Sequence, residues 1–507
     1  MASASRVPFF YPNGFKMNYL SSDYLHGNHA KRLAPVAIAV LMLVLAGCAP
    51  LPVKDAPPTF AAARTTDLVP DAAASAPAAN AAPVLGDYGD AQLKRLVALA
   101  LKDSPTMAVA QARVRQADAA AGETESAAGA NLALDGQATR ERYPEHSLYP
   151  PPIAGSTRTS GHVALDFSYD FDFWGRNRKA LDAALGRVAA SRADAQAAAA
   201  TLATGIAKTY FQWQAADQHL RIAQTIETQR QALVERQARR VRAGLAAGSD
   251  LAPLDADAAA PRQNIVQLET QRAQAGRQLQ ALVGVHALPA IEPMPLPTPA
   301  AIPDAAVRLD LLARRPEIAA ARDRVQAALK DVDSQRAAFY PDINISALAG
   351  FDALQIGSLL HGANRELAVT PAIHLPIFDS GRLRAGLDAR RADVALAVAQ
   401  YDQALQQAVA DVNDATVRLQ GAQREVAPLA GQRRGRERDL ASAKVREQAG
   451  LIDGHERLVD ELVLTALQDQ EVNLRLQTLI ARIDLDHALG GALPAASAPA
   501  KVADAAH

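Results

Sequence analysis

The chain has 507 residues, a net charge of −1, 5% aromatic residues and a single cysteine. The near-neutral charge gives no electrostatic basis for nucleic-acid binding, so no nucleic-acid partner is expected. One cysteine excludes intramolecular disulfides and zinc sites built from several thiolates.

The N-terminus predicts an export signal within residues 1–47, of which residues 1–30 resemble an over-called start with Met17 as a candidate initiator. Lys31 and Arg32 come before an apolar run that ends L-A-G-C at Cys48. The run is shorter than the ~20 residues that a spanning helix needs, and its small final residues are typical of a cleavage site. The ending resembles the bacterial lipoprotein signal, which implies that Cys48 carries diacylglycerol and an N-linked acyl chain such as palmitate. The alternative is a buried cysteine in an ordinary segment.

Residues 48–87 are rich in proline and alanine, which predicts an extended tether. Residues 88–286 then form a first unit of strands and helices. We expect a helix from about Asp90 to Gly129, a strand over 131–140, a loop over 141–160 and a strand over 161–173. A helix over 176–242 follows without a proline, then a turn over 243–250 and a helix over 251–284.

Residues 287–303 are a proline-rich linker, and 304–491 repeat the pattern of the first unit. The predicted elements are a helix over 304–338, strands over 343–351 and 367–377, a helix over 382–448 and a helix over 455–489. Residues 492–507 read as a disordered tail. The long helices would each span about 100 Å, more than three times a bilayer core, and must therefore project into water.

A shared strand-to-helix junction reveals an internal duplication. Gly175-Arg176 recurs as Gly381-Arg382, 206 positions later, each after an alternating strand and before a long helix. In the strand before Gly175, the odd positions from Val163 to Phe173 are apolar, and aspartate and serine recur between them. Alternation with period two gives one apolar and one polar face.

Four amphipathic strands of this length suit a tilted membrane span. Open sheet edges are not tolerated in lipid, and four strands are too few to close a barrel. Several chains must therefore share one barrel. Aromatic residues at the strand ends predict an interfacial belt: Phe173, Trp174, Phe339, Tyr340 and Phe378. The alternative is a soluble sandwich with these aromatic residues in its core.

Motifs spread along most of the mature chain resemble one family. They are L-A-G-C at 45–48, F-W-G-R at 173–176, R-P-E-I at 315–318, F-Y-P at 339–341, L-P-I-F-D at 375–379 with Gly381-Arg382, the A-G-L turns, and L-G-G at 489–491. Their order and spacing resemble the TolC-type outer-membrane efflux factors, in the NodT-like lipoprotein branch.

The resemblance implies a mainly α fold with a transmembrane β part. A homotrimer would form a 12-stranded β-barrel in outer-membrane lipid, continuous with a barrel of long antiparallel helices in the periplasm. The linker 287–303 would lie at an equatorial belt. The implied function is a passive exit duct for small molecules, with a periplasmic adaptor and a proton-driven inner-membrane pump as partners and no cofactor.

The resemblance also assigns the periplasmic end. Gly244, Gly248, Gly450 and Gly454 would shape the tip turns, and all four suit the positive φ of a tight reversal; turn chemistry alone is the alternative. Asp460 would form an acidic ring at the aperture, or else be a solvated helix charge. Arg446 and Arg457 flank the turn and could pair with Asp460.

No motif of an enzyme is present: the histidines are scattered, and there is neither a phosphate loop nor a nucleophile elbow. Two alternatives to the efflux duct remain, a protein-secretion outlet of the same fold and a periplasmic helical scaffold lipoprotein.

Overall fold

The computed structural model describes residues 88–146, 149–299 and 314–491. Several predicted features lie outside these described residues: the signal 1–47, Cys48, the tether 48–87, residues 300–303 of the linker, the first part of the helix predicted from 304, and the tail 492–507.

The described residues form seven α-helices and four β-strands. In chain order these are α1 (Ala91–Asp103), α2 (Pro105–Ala127), β1 (Asn131–Arg142), β2 (Thr157–Phe171), α3 (Arg176–Arg242), α4 (Leu251–Val283), α5 (Pro316–Ala337), β3 (Asp342–Ala353), β4 (Arg365–His374), α6 (Arg382–Gln448) and α7 (Gly454–Ala488). The segment Pro376–Asp379 belongs to a separate compact unit and has no regular secondary structure.

The duplication is visible in the elements. Helices α3 and α6 each contain 67 residues and begin where the sequence predicts, after Gly175 and Gly381. Both glycines have the left-handed conformation, with φ of 76° and 85°. A side chain is disfavoured there, which explains why the same residue ends both strand units.

The predicted helix over 90–129 is wrong in one respect, because it is two helices. Pro105 lacks the backbone N–H that would continue α1, and it occupies the first turn of α2. Ser104 is extended, and its hydroxyl accepts a hydrogen bond from the backbone N–H of Thr106 at 3.1 Å. The Ser-Pro pair thus ends one helix and caps the next.

The four strands form one antiparallel sheet in the order β1-β2-β3-β4. Two hairpins, β1-β2 and β3-β4, therefore lie side by side. Strand β2 ends at Phe171, two residues before its predicted end, and β4 ends at His374, where the chain approaches Pro376.

The largest hydrophobic cluster is formed by helices. Its centre is the pair Tyr210 and Phe211 in α3, both fully buried, with residues of α1, α2, α4, α7 and the linker around them. A second cluster joins α5, α6 and α7. Apolar residues of α6 at helical spacing pack here, with Val412 buried and Tyr401, Leu405 and Val409 half-buried. Among the described residues, no helix is both long and apolar enough to cross a bilayer.

Candidate channel surfaces

One face of the sheet is apolar across all four strands. Residues paired across antiparallel strands share a face, and the register places apolar residues opposite each other in row after row. One row, for example, runs Leu134, Leu165, Ala349 and Leu367. The odd residues predicted for β2 therefore continue onto both neighbouring strands.

This apolar face is bare. Leu134 is 72% exposed, Leu367 is 82% exposed and Ile373 is 70% exposed. None of the hydrophobic clusters among the described residues contains a residue of the sheet. The soluble sandwich, in which a core would cover these side chains, is therefore not what this chain forms by itself. An exposed apolar area of this size marks a surface meant for another apolar phase or partner.

The opposite face of the sheet is polar. Rows on this face include Asp170 opposite Asn344 and Ser346 opposite Thr370. Among the residues that the structure describes, β1 and β4 each have a strand neighbour on one side only, so both lateral edges of the sheet expose unpaired backbone groups.

The first strand-to-helix junction is held by a residue that the sequence analysis missed. The carboxylate of Asp172 accepts hydrogen bonds from the backbone N–H groups of Asn177 at 3.2 Å and Arg178 at 2.8 Å, so it caps α3. Gly175 is buried, and Arg176 lies 4.0 Å from the carboxylate of Asp342. In the second junction, Gly381 and Arg382 are exposed.

Two of the predicted belt residues meet. The rings of Trp174 and Tyr340 stack with centroids 4.7 Å apart, and the indole N–H of Trp174 donates to the carbonyl of Pro341 at 2.9 Å. Phe173 is 64% exposed and Phe339 is half-buried. Phe378 belongs to the separate segment and is 88% exposed.

The predicted conformation of the turn glycines is correct for two of four. Gly244 and Gly450 have positive φ, 67° and 70°, at the ends of α3 and α6. Gly248 and Gly454 do not, so for them the prediction is wrong. A Cβ at Gly454 would meet only the ends of the Glu447 and Arg236 side chains, which can move aside, so space does not require glycine there either.

The arginines beside the second turn pair with residues other than Asp460, contrary to the sequence hypothesis. Arg446 donates to Glu456 at 2.5 Å. Arg457 donates to Glu461 at 2.7 Å and Glu447 at 2.6 Å, and these hydrogen bonds raise the pKa of Arg457 above its ordinary value. The pairs tie the end of α6 to the start of α7.

Asp460 is half-buried and forms no hydrogen bond or ion pair within the part of the chain that the structure describes. Arg240 in α3 pairs instead with Asp453, at 3.2 Å, which links the two duplicated turns. Arg240, Arg446 and Arg457 thus pair with other acids, and Asp460 has no ion-pair partner among the residues that the structure describes.

The family model described as "Outer membrane efflux protein" matches residues 96–285 and 308–491 of this chain. The chain belongs to the outer membrane efflux protein family. It is therefore an outer-membrane efflux channel and not an enzyme, as the sequence predicts.

Relatives of known description and solved structures support the same family assignment. The putative multidrug resistance outer membrane protein MdtQ of Escherichia coli K12 is 31% identical over 476 residues, which covers 90% of this chain and 97% of that protein. The outer membrane protein VceC of Vibrio cholerae is 30% identical, with a TM-score of 0.69 over 80% of this chain and 97% of VceC. A membrane protein from Pseudomonas aeruginosa is 26% identical, with a TM-score of 0.72 over 83% of this chain and 99% of its own.

Proposed function

We propose that three copies of this efflux protein build one duct, with a 12-stranded β-barrel in the outer membrane and a continuous helical tunnel in the periplasm. The observation that carries this proposal is the four-stranded sheet with one bare apolar face and two open edges. A bare apolar face and two open strand edges are both unfavourable for a single chain. Joining the sheets of several chains in a membrane would cover the apolar face with lipid and pair the open edges.

The open edges require closure. In lipid, each unpaired backbone N–H or C=O group costs several kcal/mol, so a spanning sheet must close on itself. Strand β4 of one chain would pair with β1 of the next. Three chains then supply twelve strands, with the apolar face toward lipid and the polar face toward a water-filled interior.

The topology supports an assignment for the two ends of the proposed duct. The hairpin connections β1-β2 and β3-β4 lie at one end of the sheet, and the junctions to α3 and α6 lie at the other. We place the hairpin loops outside the cell and the junctions, with Trp174 and Tyr340, at the periplasmic interface. The helices α3 and α6 would then run into the periplasm, and the linker 287–303 would lie at an equatorial belt.

The turns at 243–250 and 449–454 would form the periplasmic tip, where a periplasmic adaptor docks. Three copies of Asp460 would form the acidic ring at the aperture, and this is supported by the lack of an ion-pair partner for Asp460 among the described residues. A proton-driven inner-membrane pump would supply energy and cargo through the adaptor.

We infer a small-molecule cargo, because MdtQ and MdtP of Escherichia coli are both described as multidrug resistance outer membrane proteins. This supports small molecules over secreted proteins. We also propose that a lipid at Cys48 anchors the mature chain; Cys48 lies outside the described residues, and the signal motif alone supports the anchor.

The test is electrophoresis and conductance on detergent-extracted protein. We expect a trimer on unheated gels that converts to monomer on boiling, and stepwise conductance in planar bilayers. A monomer before heating, or bilayers that stay silent at protein concentrations where a known channel conducts, would contradict the proposal.

A further inference from the structure

A histidine and two carboxylates converge on the polar face of the sheet. His162 in β2 lies directly opposite Asp352 in β3, and Glu366 lies in the neighbouring strand β4. One ligand atom from each side chain lies within 4.8 Å of the others. In the described part of the chain, this is the one group of three or more potential ligands that meets this spacing.

We propose that His162, Asp352 and Glu366 bind a divalent transition-metal ion such as Zn²⁺. Three protein ligands with an open position for water are a common arrangement for zinc, and imidazole favours transition ions over Mg²⁺ or Ca²⁺. The ligand set stands on the sheet geometry; only its location at the outer mouth of a duct rests on the proposed function.

The distance between the side-chain atoms of His162 and Asp352 fits two ligands of one metal ion better than a direct hydrogen bond. Their Nδ1 and Oδ2 atoms are 3.4 Å apart, and no hydrogen bond joins them. A protein hydrogen bond of this type is shorter, about 2.7–3.2 Å. Tetrahedral ligands at about 2.0–2.2 Å from zinc lie about 3.3–3.6 Å from each other. The observed separation matches the edge of such a site.

Small residues share the cross-strand row of Glu366, which lies next to the row of His162 and Asp352. Glu366 lies opposite Gly350, which in turn lies opposite Ala164. A Cβ on Gly350 would approach the Cβ of Ala164 to 2.6 Å and the carbonyl oxygen of Val163 to 2.3 Å. The φ of Gly350 is not positive, so space and not backbone conformation requires this glycine. Strand β2 at Val163 and Ala164 thus fills the space that a side chain at position 350 would need.

The charge of the group favours a cation. Among the residues that the structure describes, no lysine or arginine forms an ion pair with Asp352 or Glu366. The nearby Arg365 donates to the carbonyl of Gly362 at 2.8 Å. Two carboxylates held close together repel each other, and a bound dication relieves this repulsion.

The experiment is calorimetric titration of Zn²⁺ into the full-length trimer in detergent, purified with a tag that lacks histidine. We expect one Zn²⁺ per chain. His162→Ala, Asp352→Asn and Glu366→Gln should each weaken binding at least about tenfold, because loss of a ligand costs no less than loss of its supporting partner.

The matched control is His374→Ala. His374 also lies opposite an aspartate, Asp342, but at the other end of the same sheet, where no third ligand completes a group. This variant should bind Zn²⁺ like the wild type. The proposal is overturned if wild type shows no stoichiometric Zn²⁺ binding, if His162→Ala binds equally well, or if Ca²⁺ binds instead with no dependence on His162.

The Zn²⁺ titration and the conductance measurement test the metal site and the duct independently of each other. Zn²⁺ binding that depends on His162, in a sample without conductance, would refute the duct and keep the site. Conductance without Zn²⁺ binding would refute the site and keep the duct.

Discussion

Single residues in this protein derive their roles from neighbours that lie far away in the sequence. Asp90 shows this most clearly: its carboxylate caps α1 and also accepts a hydrogen bond from the Tyr210 hydroxyl at 2.6 Å. Gln214 donates to the same hydroxyl at 2.9 Å. Burial and the contact with Asp90 raise the pKa of Tyr210, which keeps the phenol protonated as the donor.

Replacing Asp90 by alanine should lower the free energy of unfolding by about 1–3 kcal/mol. The change removes a helix cap and leaves the fully buried Tyr210 hydroxyl without its acceptor. Thermal unfolding of the detergent-solubilised protein, followed by circular dichroism, measures the effect. Asp103→Ala is the control, because Asp103 is an exposed carboxylate at the end of the same helix and should change stability by less than about 0.5 kcal/mol. Equal effects of the two changes would contradict this account.

Asp460→Ala should change single-channel conductance and reduce cation selectivity, since an acidic ring at a constriction attracts cations. The position 206 residues earlier is Leu254, so the first tip turn offers no equivalent acid. The neighbouring exposed Asp255 therefore provides a control, and Asp255→Ala should leave selectivity much closer to wild type. An Asp460→Ala channel with wild-type conductance and selectivity would refute the aperture role.

Helices and strands were predictable from sequence where local patterns decide them. Helices α3 and α6 begin and end where the sequence predicts, because a glycine precedes each one and a glycine-rich turn follows. The C-terminal ends of all four strands differ from the predicted ends by two or three residues, because a strand ends where its partner ends, and the partner is distant in sequence. The Ser104-Pro105 break was missed, although proline at this position was a readable signal.

The candidate sites also depend on contacts between residues that are distant in sequence, which local patterns do not predict. The partners of Arg446 and Arg457 depend on how α6 and α7 rotate against each other, which local sequence does not reveal. The group around His162 needs the register of three strands, so the scattered histidines gave no hint of it. The apolar face of β2, in contrast, followed from alternation alone.

The two faces of β4 should respond oppositely to charge. Val369 lies in the middle of β4 on the apolar face and is 69% exposed. Val369→Arg should destabilise the barrel by about 2–4 kcal/mol per chain, the cost of an arginine facing lipid at mid-bilayer depth. Thr370→Arg, on the polar face, should be tolerated. The yield of heat-modifiable trimer in outer-membrane fractions measures both, and equal yields of the two variants would contradict the assigned faces.

At the scale of the whole molecule, the bare apolar face of the sheet and the hydrophobic clusters belong to different elements. A chain of the outer membrane efflux protein family presents a sheet with an apolar face, a polar face and two open edges, while its hydrophobic clusters lie among the helices. Membership of this family accounts for why so much apolar surface is left uncovered by the chain itself. Closure by three copies would place every one of these surfaces in a compatible environment.

The most direct measurement of this arrangement is site-directed labelling along β4 in native outer membranes. Single cysteines at Leu367, Val369, Ala368 and Thr370 would be introduced in the full chain, whose one native cysteine is Cys48. We predict strict alternation: labels at 367 and 369 are quenched by lipid-soluble quenchers, and labels at 368 and 370 react with and are quenched by water-soluble reagents. Equal access of water-soluble reagents to all four positions would contradict a barrel wall between lipid and an aqueous duct.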